Sequence, residues 1–273
     1  MAALTLSPTV FSILSSLVEE LSGLHYGVEN LELFADKVTG PAMEAGFESL
    51  LDYYYFLRYD ARGPEALQQL VNSLLVHETY FFREPDQLKA LMDQVVLPKV
   101  NYGARLRLWC AACATGEEPL TLAMMLAEAR ALERVEVVAS DLSQPALDRA
   151  QRGEYGPRSV RAVPPDMAER WLAVNEDRAT VHSSLRDAIQ WRRINLLDSK
   201  EVRALGGFDV ILCRNVLIYF RDKTALDVLG TLTSTLKPGG KLAVGASESL
   251  MRFGTELECE ELGGAFFYAK AGG

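Results

Sequence analysis

An excess of positive charge is missing from this 273-residue sequence: 37 Asp and Glu outnumber 28 Lys and Arg, leaving a formal net charge of −9. Phosphate-binding surfaces are basic, so nucleic acid is disfavoured as the main partner. Long apolar runs are missing as well. No stretch approaches the roughly 18 uninterrupted apolar residues of a membrane helix. The start, Met1 to Pro8, has neither the basic region nor the apolar run of a secretion signal, so a cytoplasmic protein is expected. Cysteine is scarce and scattered (Cys110, Cys113, Cys213, Cys259), as expected of free thiols in a reducing compartment. Cys110 and Cys113 have CxxC spacing, yet no second CxxC and no nearby histidine pair accompanies them, which argues against zinc. They sit between an apolar strand and a glycine turn, so small residues at a tight turn are a better reading than a redox pair. No metal site is expected. The glycine fingerprint GxGxxG of dinucleotide-binding sheets is also absent.

What is present is the composition of a globular protein. With 49% hydrophobic and 24% charged residues, the chain can bury one large α/β domain and a smaller appendage. Residues 1–76 read as a helical domain of four short helices. Val10, Phe11, Leu14, Leu17, Val18 and Leu21 recur at helical spacing up to Gly23. Leu31, Phe34 and Val38 form a second pattern ending before Gly40-Pro41. A third runs from about Met43 to Leu57, and a fourth follows Gly63-Pro64 through Leu67, Leu70, Val71 and Leu74. From Leu106 strands and helices alternate, which implies a mostly parallel sheet covered on both faces. Strands are expected at 106–110, 135–139, 208–213 and 241–245, helices at 119–132, 144–152 and 223–236, and a last edge strand at 265–269. Residues 157–193 break the pattern. They read as a small inserted β-subdomain, with a short helix through Leu172 and antiparallel strands at 179–182 and 189–193.

Open parallel sheets bind ligands beyond the carboxyl ends of their strands, so residues just after each strand carry the chemistry. After the first strand, Ala111 to Pro119 is built almost wholly of small residues, allowing close backbone approach to a ligand. Glu117 and Glu118 open the next helix. They would repel a phosphate and suit a cationic ligand, or simply complement the helix dipole. After the second strand stands Asp141, 25 residues beyond Gly116. An acid there suits the two ribose hydroxyls of a nucleoside; the alternative, a cap for the following helix, is served as well by Ser143. Leu236-Lys-Pro-Gly-Gly240 resembles the turn before the last hairpin of class I S-adenosylmethionine (SAM) methyltransferases, and the three features together favour SAM over NAD.

Several blocks then occur in order: His77-Glu-Thr-Tyr-Phe-Phe-Arg-Glu84, Ala114-Thr-Gly-Glu-Glu-Pro119, Ala139-Ser-Asp141, Ile194-Asn-Leu-Leu197, Cys213-Arg-Asn-Val-Leu-Ile-Tyr-Phe220 and Ser247-Glu-Ser249. On these residues the chain resembles the CheR family, the glutamate methyltransferases of chemotaxis receptors. The resemblance implies a Rossmann-like class I SAM-methyltransferase domain at 77–273 behind the helical domain. It also implies methyl transfer from SAM to receptor glutamates, with S-adenosylhomocysteine as product. The expected partner is the cytoplasmic part of a methyl-accepting receptor, and the enzyme is expected to be a monomer. Cofactor contacts carried over are His77, Thr79, Arg83, Glu118, Asp141, Asn195, Leu196, Arg214 and Asn215. Asn195 and Leu196 match the pair beside the adenine, Tyr219 matches the tyrosine near the transferred methyl group, and Arg83 and Tyr219 would orient the acceptor carboxylate. For Arg83 and Arg214 the alternative is a structural ion pair with acids such as Glu84 or Asp222; for Tyr219 and Phe220 it is packing. A different methyl acceptor and a non-catalytic SAM-binding module are the competing functions. Two positions depart from the family pattern: His77 stands where asparagine is common, and residues 1–76 hold three bases against ten acids, a net −7 where the family's front domain is basic.

Overall fold

The computed structural model describes residues 4–272. It divides into two compact units, Met1–Val76 with Tyr219–Thr224, and His77–Ile218 with Ala225–Gly273.

The first unit is helical. Ser7 caps α1 (Pro8–Ser22) by accepting from Val10 N, and Gly23 ends it in the left-handed conformation, φ 77°. Helix α2 (Leu31–Glu44) runs straight through Gly40-Pro41, where the sequence predicted a stop. Proline forfeits one backbone hydrogen bond there, but Phe34, Val38 and Ala42 continue a single buried row four residues apart, and that packing carries the helix one more turn. Met43 therefore belongs to α2. The third helix, α3 (Leu50–Tyr59), starts later than predicted, at the Ser49 cap, whose hydroxyl accepts from Asp52 N. Helix α4 (Gly63–Leu74) buries Leu67, Leu70, Val71 and Leu74. Phe34 forms the hub, with Phe11 and Tyr26 meeting its ring edge-on at 5.3 and 5.0 Å. The segment 219–224 joins this unit through His25 N donating to Tyr219 O (2.9 Å) and an Arg221–Glu19 ion pair (2.8 Å).

The second unit opens with α5 (Pro85–Ala90), a π-helical turn (Leu91–Val96) and α6 (Leu97–Asn101). Strand β1 (Leu106–Ala111) leads through α7 (Glu117–Glu128) to β2 (Val135–Asp141), and α8 (Gln144–Arg152) follows. Next come β3 (Glu154–Tyr155), α9 (Pro157–Val160), α10 (Pro165–Trp171), β4 (Leu172–Asn175), β5 (Arg178–Val181), α11 (Ser183–Asp187) and β6 (Ile189–Arg193). The chain ends through α12 (Ser199–Ala204), β7 (Phe208–Leu212), α13 (Asp222–Thr235), β8 (Leu236–Ala243), β9 (Glu258–Leu262) and β10 (Ala265–Ala269). Seven strands form the main sheet in the order β6-β2-β1-β7-β8-β10-β9. The first five are parallel and β10 runs antiparallel to both its neighbours. Trp109, fully buried in β1, donates to Ser140 Oγ of β2 (2.9 Å), which ties the two strands below their carboxyl ends.

The inserted sheet differs from the sequence prediction. Strands β3, β5 and β4 make a separate three-stranded sheet, while residues 189–193 lie in the main sheet parallel to β2, with Ile189 beside Val137. Ile189 is buried on that side and Trp191 is half-buried, so these residues complete the large core instead of a small subdomain. Leu172, read as the end of a helix, instead opens β4, which pairs with β5 across Glu176-Asp177, where Glu176 takes φ 48°. The predicted edge strand at 265–269 is interior: β9, charged and half exposed, lies outside it.

Candidate active site

The order of strands reverses between β1 and β7, which opens a crevice at their carboxyl ends. The loop leaving β1 lines it. Ala112 (φ 55°), Ala114 (φ 48°) and Gly116 (φ 88°) all adopt left-handed backbone, unusual for alanine. At Gly116 a Cβ would stand 2.5 Å from the Ala150 side chain and 3.0 Å from Trp191, so only glycine fits.

Asp141, at the end of β2, supports this loop. Its Oδ2 accepts from Ala114 N (2.8 Å) and its Oδ1 from Ser143 N (2.9 Å), while Ser143 itself caps α8. Burial pushes the Asp141 carboxyl above its ordinary pKa, against the pull of the Ser143 and Ala114 amides and the nearby His77. The Ala114 and Ser143 amides each take one oxygen, the Leu142 amide also bears on the carboxylate, and lone pairs remain for further donors. The adjacent hydroxyls of a ribose can donate there, and the small residues of the β1 loop leave room for a nucleoside. The residues present therefore fit SAM.

The two acids at the start of α7 have separate roles. Glu117 is buried and accepts from Thr115 Oγ1 (2.6 Å) and Ser159 Oγ (3.0 Å), tying the loop to the inserted segment. Glu118 pairs with Arg214, the first residue past Cys213 at the end of β7 (2.8 Å). Arg214 is the centre of the crevice floor, its side chain 2% exposed. It donates to Glu118 Oε2, to Glu84 Oε2 (2.9 Å) and to the carbonyl of Arg83 (2.8 Å). One guanidinium thus joins the entry segment, the β1 loop and the β7 loop. Burial raises the Glu84 carboxyl, and the hydrogen bond and charge of Arg214 together with Ala246 N more than offset it, so its pKa lies below the ordinary value.

The predicted residues are brought together unevenly. His77, Thr79 and Arg83 lie on the extended entry segment; Arg83 is half-buried and donates to Glu78 O (2.9 Å). Phe82 (φ 58°) and Glu84 (φ 54°) turn that segment sharply, and Phe81 packs edge-on against Tyr155 (4.9 Å). Asn195 and buried Leu196 follow β6, with Asn195 Oδ1 accepting from Leu197 N (3.1 Å). Asn215, at φ 58°, begins the β7 loop. Tyr219 belongs to the first unit.

Two functional contributions escaped sequence reasoning. Glu248, quoted only as part of a Ser-Glu-Ser block, is buried and accepts from four backbone amides: Asn215 (2.6 Å), Val216 (2.8 Å), Ile218 (3.3 Å) and Gly245 (2.8 Å). It fixes the β7 loop in its left-handed turn. Glu84, considered only as a possible ion-pair partner, links Arg214 to the β8 loop through Ala246 N (3.2 Å). Beyond it a cavity of about 640 Å³, lined by Glu84, Gln87, Ala246, Met251, Phe266 and Tyr268 among others, opens at the carboxyl end of β8. The CxxC thiols are poor nucleophiles, because full burial, with nearby acids, pushes the pKa of Cys110 and Cys113 well up.

A seven-stranded sheet of this order, with an acid after β2 and a small-residue loop after β1, defines a Rossmann-like class I SAM-dependent methyltransferase. Comparison with known proteins narrows the class. The family described as CheR methyltransferase, SAM binding domain, matches residues 77–263. Chemotaxis protein methyltransferase 2 of Vibrio cholerae is 36% identical over 211 residues, covering 75% of this chain and 73% of that protein. Chemotaxis protein methyltransferase 1 of Pseudomonas aeruginosa is 33% identical, covering 88% and 90%. The chemotaxis protein methyltransferase of Escherichia coli is 30% identical, covering 90% and 86%. The chain belongs to the CheR methyltransferase family, and SAM is its cofactor.

Proposed function

We propose that this enzyme methylates glutamate side chains in the cytoplasmic part of chemoreceptor proteins, forming methyl esters during sensory adaptation, and that it acts as a cytoplasmic monomer. The division of labour would be a helical domain at 1–76 and a methyltransferase domain at 77–273. The observation that carries the reading is the Glu118–Arg214–Glu84 array in a chain of this family: the site floor is made of ion pairs and not of a general base.

None is needed. A glutamate with reference pKa near ~4.3 is already a carboxylate at neutral pH. Bound SAM supplies an electrophilic methyl on a sulfonium. Transfer to a carboxylate oxygen would leave S-adenosylhomocysteine as the second product, so the residues of the site would have to align that oxygen with the methyl group. The protein's part is position and exclusion of water, and orientation of this kind lowers a barrier by up to about 7–11 kcal/mol. Asp141 holds the ribose hydroxyls. Asn195 and Leu196 flank the adenine. His77, Thr79, Glu118, Arg214 and Asn215 shape the cofactor seat, and Arg83 and Tyr219 orient the acceptor carboxylate. The Tyr219 assignment rests on the family resemblance. Tyr219→Phe is expected to lower kcat while the SAM Kd stays within about twofold; unchanged kcat would remove Tyr219 from the mechanism.

The direct test is transfer from methyl-labelled SAM to a receptor cytoplasmic fragment from the same organism, scored as base-labile volatile methanol. Base-labile label identifies a carboxyl methyl ester. Absence of label, with SAM binding confirmed calorimetrically in the same preparation, would refute the receptor assignment.

A further inference from the structure

Helix α3 has two apolar faces, and the core of its unit uses one. Leu50, Tyr53 and Leu57 are buried, whereas Leu51 (39% exposed), Tyr55 (52%) and Tyr59 (72%) form a row four residues apart on the opposite face. The rings of the row contact one another: Tyr55 and Tyr59 stack at 6.1 Å and 26°, and Tyr54 meets Tyr55 edge-on at 5.6 Å. Tyrosine offers large contact area with only two side-chain torsions to freeze. Eight residues of helix separate Leu51 from Tyr59, a ridge about 12 Å long, enough for two turns of a facing helix.

Charge identifies the partner. The three bases of Met1–Val76 are already engaged: Arg58 with Glu20 (2.5 Å), Arg62 with Asp60 (3.2 Å), and Lys37 with the Ser73 carbonyl (3.2 Å). Asp52, exposed on α3 next to Leu51, and Glu48, exposed just before the helix, have no ion-pair partner among the described residues. An anionic membrane or nucleic acid would be repelled by this surface, and so would a second copy of the same helix face. We propose that the outer face of α3 docks a basic amphipathic helix of another protein, its apolar residues on the Leu51–Tyr55–Tyr59 row and its lysines or arginines against Glu48 and Asp52.

The full-length protein can be titrated calorimetrically with two synthetic 18-residue Leu/Lys peptides of identical composition. One places leucines at helical spacing on one face; the other scatters them. The amphipathic peptide is expected to bind at least about tenfold more tightly, and Tyr55→Ser/Tyr59→Ser to remove about tenfold of that affinity. Asp52→Lys should weaken binding and flatten its salt dependence. These positions are exposed, so the variants should keep the wild-type circular dichroism and SAM affinity. Equal affinity for the two peptides, or a double variant that binds like wild type, would overturn the proposal. Self-association in sedimentation that the double variant abolishes would also overturn it, by giving the face to a second copy.

Discussion

Removing Arg214 tests how the crevice is held together. In Arg214→Met the side-chain volume is kept, but Glu118, Glu84 and the Arg83 carbonyl lose donors at 2.8, 2.9 and 2.8 Å. Breaking a buried ion pair by removing one partner costs about 3–5 kcal/mol. Glu84 and Glu118 keep 25% and 14% of their side chains exposed, so water relieves part of the deficit and the low end, about 3 kcal/mol, applies. With a urea slope of about 2 kcal/mol/M the unfolding midpoint of this unit should fall by about 1.5 M at pH 7. SAM affinity should fall with it, because Glu118 is released at the mouth of the β1 loop. The pH dependence separates charge from packing. The Glu84 pKa is depressed in the fold, so its contribution is present above the unfolded value near ~4.3 and is lost as pH falls through the lower folded value. In the variant the Glu84 carboxylate is destabilising while ionised and is relieved by protonation. Wild type and variant should therefore converge below about pH 4. Arg214→Lys keeps the charge but cannot fork between two carboxylates, and should recover about half of the loss. An unchanged midpoint at pH 7 would refute the reasoning. A deficit that persists undiminished at low pH would mean that packing, not the ion pairs, was removed.

Two other perturbations address the loops. Glu248→Gln replaces an acceptor oxygen with an amine facing backbone donors, and should cost about 2–3 kcal/mol. Amide hydrogen exchange at Asn215, Val216 and Gly245 should accelerate at least tenfold; unchanged protection would mean that Glu248 does not hold the loop. Gly116→Ala should weaken SAM binding by an order of magnitude or more by calorimetry, since its Cβ would meet Ala150 at 2.5 Å. Adding Ala150→Gly removes that contact but not the strain at φ 88°, so recovery should be partial; full recovery would assign the effect to crowding alone.

The alternation of strands and helices was legible because β1, β2 and β7 each carry an apolar run after one charged residue at the second position (Arg107, Glu136, Asp209), and α8 carries a serine cap, a proline at its start and a glycine at its end. Ile189–Arg193 was misread because one buried isoleucine and one tryptophan among polar residues look the same at the edge of a large sheet as in a small one. Only the long-range pairing with β2 distinguishes them. Gly40-Pro41 misled for a related reason: local stop signals yielded to the row Phe34, Val38, Ala42, whose burial depends on other helices. In the site, Asp141 and Arg214 were marked by position after strands. The clamp made by Glu248 was not, because three of its four partners are backbone amides 30 residues or more away, and amides leave no signature in a sequence.

The outermost strand of the main sheet, β9, has unpaired backbone groups along one side, the kind of border on which another polypeptide can lay itself down and start a fibre. Its sequence is Glu-Cys-Glu-Glu-Leu, with Glu258 and Glu260 projecting from one face and Glu261 from the other. A second molecule bringing up the same border would meet the carboxylate of Glu258 on one face and of Glu261 on the other, Glu260 being held by Lys241 (2.5 Å). The acidity of this rim thus disfavours stacking of one copy on another, a duty of colloidal safety quite apart from methyl transfer.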